Sequence, residues 1–171
     1  MNAVQKKRRG EKIVKQNLAL RNEIWPDLDT DFLWNRKSND GYTTIPRTMP
    51  QILQIMDSLA PKDRPVSKTY LSLWCRVFDE SFINIQNPLA LAIEAGFSKQ
   101  RALTAWNDRI ASLVKLGFIE AEKEAGQYKY ILVYNPYIII KQSKAKIPEK
   151  ARYLALFQRA QEVGAKDLTE D

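Results

Sequence analysis

Asn87-Pro88-Leu89-Ala90-Leu91-Ala92-Ile93-Glu94-Ala95-Gly96 begins the stretch that decides the fold, which continues to Tyr134. Asn is a favoured N-cap and Pro fits the first helical position, so a helix is predicted to start here. Gly96 can adopt the left-handed conformation that ends it. Phe97 and Ser98 finish a short turn, and Ser98 is the expected cap of a second, longer helix over 98–116. Gly117 stops that helix. Phe118-Ile119-Glu120-Ala121-Glu122-Lys123 then alternates as a strand does. Ala125-Gly126-Gln127 makes a turn, and Tyr128 to Tyr134 returns as a second strand.

Two helices joined by a Gly-containing turn, then a β-hairpin, is the order of a winged helix-turn-helix. The second helix is narrow enough to enter a DNA major groove, and the hairpin over 118–134 can reach the flanking backbone. The same fold also serves as a protein-interaction module. On the second helix Leu103, Trp106, Ile110, Leu113 and Val114 recur at spacings of three and four, so they form one apolar stripe. Trp106 therefore reads as core rather than as a base-stacking residue. The opposite side carries Gln100, Arg101, Thr104, Asn107, Asp108 and Lys115. Gln and Asn can pair bidentately with adenine, and Arg with guanine. Base contacts usually come from the start of a recognition helix, so Gln100, Arg101 and Thr104 are the candidate base-reading residues. Lys99, Asn107 and Lys115 on the helix and Gln127 and Lys129 on the wing are candidate backbone contacts. The alternative is an ordinary solvated helix face. Asp108 repels phosphate, so it belongs away from the backbone or opposite a cytosine amine.

The charge is unevenly placed. Of 171 residues, 27 are Lys or Arg and 20 are Asp or Glu, a net +7. Residues 1–21 hold Lys6, Lys7, Arg8, Arg9, Lys12, Lys15 and Arg21 against Glu11, or +6, which leaves +1 for everything after. Such an arm binds phosphates through charge, with little sequence information; Lys6, Lys7, Arg8 and Arg9 join the candidate backbone contacts. A solubilising tail or disordered leader is the plain alternative. The wing is not strongly basic, because Glu120, Glu122 and Glu124 oppose Lys123 and Lys129.

The chain has no His and one Cys. That removes Ser-His-Asp triads, Cys-His pairs and His-based zinc sites. Asp27-Leu28-Asp29-Thr30-Asp31 begins like a calcium loop, but Phe32 stands where Gly is needed and Ser38 where Glu is needed. It reads as turn and cap chemistry. Ser112-Leu113-Val114-Lys115 has the spacing of some serine acylases without their partner motifs. No metal and no cofactor is expected, nor an enzyme. A lone Cys75 suits a reducing cytosol. No apolar run is long enough for a membrane span, and no signal-peptide core is visible near the start. The expected setting is cytoplasmic, on the nucleoid or a plasmid.

Three regions are expected: a basic arm and amphipathic helix (1–31), the winged-helix domain (32–140), and a basic linker with a C-terminal helix (141–171). In the first, Val14, Leu18, Leu20, Ile24 and Trp25 form the apolar side. In the second, Trp34, Tyr42 and Ile45 are expected to anchor a Pro-containing stretch. Thr48-Met49-Pro50-Gln51 fits a capping box for a helix with Ile52, Ile55, Met56 and Leu59. Ser67 is the expected cap of another, with Tyr70, Leu71, Leu73, Trp74, Val77 and Phe78. Phe82 to Gln86 is a short strand that can pair with the wing to give three strands. In the third region Lys141, Lys144, Lys146, Lys150 and Arg152 face Glu149, or +4. Pro148 opens a last helix to about Val163, with Ala151, Leu154, Phe157 and Ala160 as its stripe and Gly164 as its stop. The acidic end is expected to fray. The terminal helices are candidate seams of a homodimer, or pack on the body.

Leu33-Trp34-Asn35-Arg36-Lys37, Thr43 to Pro50, Leu73-Trp74-Cys75-Arg76, Ala95 to Ala102, Leu116-Gly117-Phe118-Ile119 and Tyr134-Asn135-Pro136-Tyr137 together resemble a family of small proteins encoded on proteobacterial plasmids and other mobile elements. The likeness spans roughly residues 32–140. It implies a plasmid context more than a mechanism. The winged-helix part is similar, more loosely, to plasmid replication initiators and transcriptional regulators. Initiators of that kind usually carry two winged helices, and one is legible here.

The expectation is thus an α+β, mainly helical winged helix-turn-helix with an N-terminal basic arm and a C-terminal helix. It would bind double-stranded DNA sequence-specifically and regulate transcription or replication of a plasmid or mobile element. The rival readings are a protein-interaction winged helix, such as an adaptor in a replication or partition complex, and a nuclease, for which no coherent site is visible.

Overall fold

The computed structural model describes residues 3–78, 80–98 and 100–169, with side chains from Glu11 onward. The chain divides into two compact units, Met1–Tyr42 and Thr43–Asp171. The first opens with α1 (Ala3–Ile24). Its described side chains are exposed, the apolar Val14, Leu18 and Leu20 included, and only Arg21 is partly covered. The acidic run does act as a cap: Asp29 Oδ1 accepts from the Asp31 amide at 3.0 Å and starts a 3-10 turn over Thr30–Phe32. Trp34 and Tyr42 do not anchor by burial. They meet edge to face at 5.8 Å and both stay exposed.

The second unit is α+β and mainly helical. Its elements run α2 (Met49–Leu59), α3 (Ser67–Trp74), β1 (Phe82–Asn84), α4 (Pro88–Glu94), α5 (Ala102–Leu116), β2 (Ile119–Glu124), β3 (Gln127–Val133), α6 (Pro136–Ser143), α7 (Lys150–Val163) and α8 (Lys166–Thr169). The strands form one antiparallel sheet in the order β1-β3-β2. β1 pairs as Ile83 with Ile131, and β2 pairs as Ala121 with Ile131, so the strand expected at 82–86 does join the wing hairpin. The hairpin turns through Ala125 and Gly126, both at positive φ (50° and 81°), as a two-residue turn that follows strand twist requires. Among the described residues no helix is long and apolar enough to cross a membrane.

Several helix starts differ from the local sequence signals, and each has a tertiary reason. Thr48 is the N-cap residue of α2 but makes no side-chain cap bond. Its hydroxyl instead meets the Tyr137 hydroxyl at 2.5 Å inside the core, 89 residues away. Ser67 is not the cap of α3: Asp57 Oδ1, from α2, accepts the Val66 and Ser67 amides at 2.7 and 2.8 Å. A carboxylate at a helix start also meets the positive end of the helix dipole. α3 ends at Trp74, so Phe78, expected in its apolar surface, is exposed. Ile45 is half exposed, while the Trp74 indole N–H donates to the Thr44 carbonyl at 3.0 Å.

Asn87 and Asn135 obey the local rule. Asn87 Oδ1 accepts from the Ala90 amide at 3.0 Å, with Pro88 first in α4. Asn135 accepts from the Tyr137 amide at 3.0 Å, and Pro136 opens α6. That helix runs through the expected 140/141 boundary. At the end, Gly164 stops α7 in the left-handed conformation, and α8 follows with Leu168 buried, so residues 167–169 are helical against the expected fraying; Glu170 and Asp171 lie outside the described residues. The buried side of α7 is Tyr153, Leu156 and Ala160; Ala151 and Leu154, placed in its stripe from sequence, are exposed.

The core is continuous. α3, α4 and α5 pack together beside the sheet, and α2, α6, α7 and α8 pack together, with α2 touching α3. Trp106, Tyr70, Phe118, Ile110 and Leu113 are completely buried in it. Truncating a buried Trp costs about 3–5 kcal/mol, so Trp106 is a scaffold residue as its periodicity predicts.

The capping assignment is directly testable. Asp57→Ala should lower stability by about 1 kcal/mol, the usual cost of a lost cap. Ser67→Ala should change it by only a few tenths of that size. Urea midpoints of the two variants decide the matter; a larger loss for Ser67→Ala would return the cap to the serine.

Candidate nucleic-acid interface

α5 is rotated so that Ala102, Trp106, Ile110 and Leu113 face the core. Positions 101, 104, 108, 111 and 115 are therefore exposed, and they spiral along the solvent side of one helix. Leu103 is only partly buried, and Val114, assigned to the apolar stripe, is exposed. Gly117 ends the helix at φ 81°, and its amide satisfies the last carbonyls.

The helix starts later than Ser98. Its N-cap is Arg101, which makes no side-chain cap bond, and its first residue is Ala102. Gln100 and Arg101 thus lie at the end of the turn rather than within the first helical turn, both exposed. Thr104 is exposed on the first turn of α5. These three form one exposed polar end of the helix. Lys99 lies outside the described residues, and the side chains of Lys6, Lys7, Arg8 and Arg9 do too. Lys115 is exposed in the last turn. Asn107 is different: it is half-buried, and its Oδ1 has no hydrogen-bond partner among the described residues.

Two cations not singled out from sequence hold or flank this end. Arg109 donates from Nε to the Pro65 carbonyl at 2.9 Å, and its guanidinium lies 5.6 Å from the Phe97 ring centre. It clasps the turn before α5 to the loop before α3. Lys68 of α3 lies beside Gly96, with its Cδ and Nζ 3.8 and 3.9 Å from where a Cβ would stand. Neither partner is near in sequence, so no local pattern could have found them. Arg76 pairs with Glu94, tying the segment after α3 to the end of α4.

The β2–β3 hairpin has two unlike sides. Gln127, at its tip, is exposed. Lys129 is half-buried, with Nζ 3.6 Å from Glu124 Oε2. Lys123 Nζ lies 4.7 Å from the Tyr128 ring centre. On the sheet's outer side, the Tyr134 hydroxyl donates to Glu120 Oε2 at 2.5 Å and the Tyr130 hydroxyl to Glu124 Oε1 at 2.9 Å. These bonds favour the neutral phenols, so both tyrosines ionise above the ordinary tyrosine value.

The basic linker is a folded corner. α6, a 3-10 turn over Lys144–Lys146 and the start of α7 enclose a concavity of about 540 Å³, bordered by Lys141, Lys144, Lys150, Tyr153 and Leu154. Lys144 Nζ lies 4.7 Å from the Tyr153 ring centre. Arg152 donates from Nη2 to Glu149 Oε1 at 3.0 Å, and that hydrogen bond holds the carboxyl below the usual carboxylate range.

In an alkaline titration followed by NMR of the tyrosine ring carbons, Tyr134 should ionise late. Glu120→Ala should bring it down toward the ordinary value and leave Tyr130 where it is. An unchanged Tyr134 would mean that the Tyr134–Glu120 bond is not held in solution. Comparison with protein-family models, with characterised proteins and with solved structures finds no match to this chain.

Proposed function

We propose that α3 to β3 form a winged helix-turn-helix that binds double-stranded DNA, with α5 in the major groove. The protein would act as a regulator of transcription or replication on a plasmid or mobile element. The observation that carries this reading is the exposed polar start of α5, where Thr104 on the first turn and Gln100 and Arg101 just before it flank a helix whose opposite face is locked into the core. The helix–strand–helix–helix–strand–strand order and the β1-β3-β2 sheet support it, because a winged helix would use the same order of elements.

Gln100, Arg101 and Thr104 read base edges in this proposal. Lys99, Lys115, Gln127 and the arm residues Lys6, Lys7, Arg8 and Arg9 meet phosphates. Asn107 contributes least, since it is half-buried, and Lys129 must leave or share Glu124 to contribute. Asp108, exposed one turn beyond Thr104, disfavours phosphate and confines the backbone contacts to other parts of the surface. The arm supplies salt-sensitive affinity and α5 supplies preference.

Binding of the full chain to fragments tiled across the DNA that encodes it and its flanks tests this in a salt series. Arg101→Ala should weaken binding to the preferred fragment by about 1–3 kcal/mol and relax the preference. Replacing Lys6, Lys7, Arg8 and Arg9 by alanine should weaken all fragments alike and flatten the salt slope. If Arg101→Ala changes neither affinity nor preference, the base-reading assignment is wrong. If in addition all binding disappears with the arm substitutions, the body is an interaction module instead.

A further inference from the structure

The β1-β3-β2 sheet uses only one side for the core. Ile83, Ala121 and Ile131 form one inward row, and Ile119 with Val133 another. Cross-strand partners share a face, so the outer side carries the rows Phe82–Leu132–Glu120 and Asn84–Tyr130–Glu122 and, past a register shift, Tyr128 with Lys123, whose cation lies over the Tyr128 ring. Phe82, Leu132 and Tyr134 are 45%, 41% and 41% exposed there. Phe82 and Tyr130 stack with centroids 6.2 Å apart and planes 13° apart. Together with Glu120, Glu122 and Leu132 they line a concavity of about 340 Å³.

Two acids beside this surface are positioned: Glu120, which lines the concavity, accepts from Tyr134, and Glu124, further along β2, accepts from Tyr130. Lys129 offsets Glu124 only. An apolar floor with a fixed carboxylate rim repels phosphate, whether of nucleic acid or of an anionic lipid surface. It matches a helix that carries aliphatic anchors at spacings of three and four with Lys or Arg beside them. β2 is an edge strand, but Glu120, Glu122, Lys123 and Glu124 along it discourage addition of a further strand. A helix laid across the face is the fitting mode.

We propose that the outer face of this sheet docks a basic amphipathic helix of a partner protein, with its apolar side on Phe82, Tyr130 and Leu132 and its cations at Glu120, Glu122 and Glu124. The site lies on residues that the DNA reading does not use, so it stands or falls independently. It gives the protein an acidic, partly apolar surface through which it recruits a basic protein, whether or not the chain is bound to nucleic acid.

The test uses the full chain, labelled with ¹⁵N, and a synthetic amphipathic helical peptide of leucine and lysine, beside a control in which glutamate replaces every lysine. The lysine peptide should shift the amides of Phe82, Tyr130 and Leu132 and leave those of α5 unmoved; the glutamate peptide should shift neither. Glu120→Gln with Glu122→Gln should weaken the lysine peptide about tenfold, as loss of two interfacial charge pairs does. Phe82→Ser should remove binding with an unchanged circular dichroism spectrum, since this side chain is nearly half exposed. Equal binding of the glutamate peptide, shifts centred on α5, or indifference to the double substitution would each overturn the proposal. So would sedimentation of the chain alone as a dimer that Phe82→Ser dissociates, because the face would then belong to a second copy.

Discussion

The rotation of α5 about its own axis governs what this protein presents to solvent. Ala102, Trp106, Ile110 and Leu113 enter the core at spacings of three and four, and Trp106 and Ile110 are completely buried. A helix pinned at four points along its length cannot turn without exposing an indole and several aliphatic groups, at a cost of several kcal/mol. The solvent side is fixed by the same act. Arg101 and Thr104 are held outward by what Trp106 does on the other face. The clasp of Arg109 on Pro65 and Phe97 adds the second restraint, because it fixes the turn that delivers Gln100 and Arg101 to the helix start.

The scaffold beneath is joined by polar contacts between residues far apart in the chain. Asp57 closes the open amides at the start of α3, so α2 and α3 hold one another in register. Thr48 and Tyr137 satisfy each other in the interior, which couples the start of α2 to α6. Buried hydroxyls need such partners, since an unpaired one costs roughly 1–3 kcal/mol. Both contacts override a good local signal. Thr48 has the sequence of a capping box, yet its buried hydroxyl pairs with Tyr137 rather than with the helix start.

Charge and apolar surface are sorted by face. The sheet's inner rows are aliphatic and join the core. Its outer rows combine Phe82, Leu132 and two tyrosines with three glutamates. Two cations sit beside them, Lys123 over Tyr128 and Lys129 on Glu124, while Arg101 before α5, Lys115 in its last turn and the corner between α6 and α7 carry others. The alternation along β2 and β3 that marks them as strands in the sequence is also what separates these two chemistries, because successive side chains point to opposite sides.

Wherever one residue type permits little else, the sequence by itself determined the outcome. Asn-Pro started α4 and again α6, the second unread as a helix start, Gly117 and Gly164 ended α5 and α7, and Ala125-Gly126 turned the hairpin. The spacing of Trp106, Ile110 and Leu113 put them inside, and the strand before Asn87 found the wing. These are local rules of capping, left-handed backbone and periodicity, and they act before any tertiary contact forms. The places where the sequence misled were those with two local solutions of similar energy. Ser98 and Ser67 look like caps, yet α5 starts at Ala102 and α3 takes its cap from Asp57. The stripe of α7 can be drawn through Leu154 or through Tyr153 and Leu156, and only packing against α2 and α8 chose the latter. For the candidate interface, periodicity alone made the exposed end of α5 legible. The half-burial of Asn107, the pairing of Lys129 and the acidic aromatic face of the sheet depend on partners distant in sequence, and tertiary structure alone brought them together.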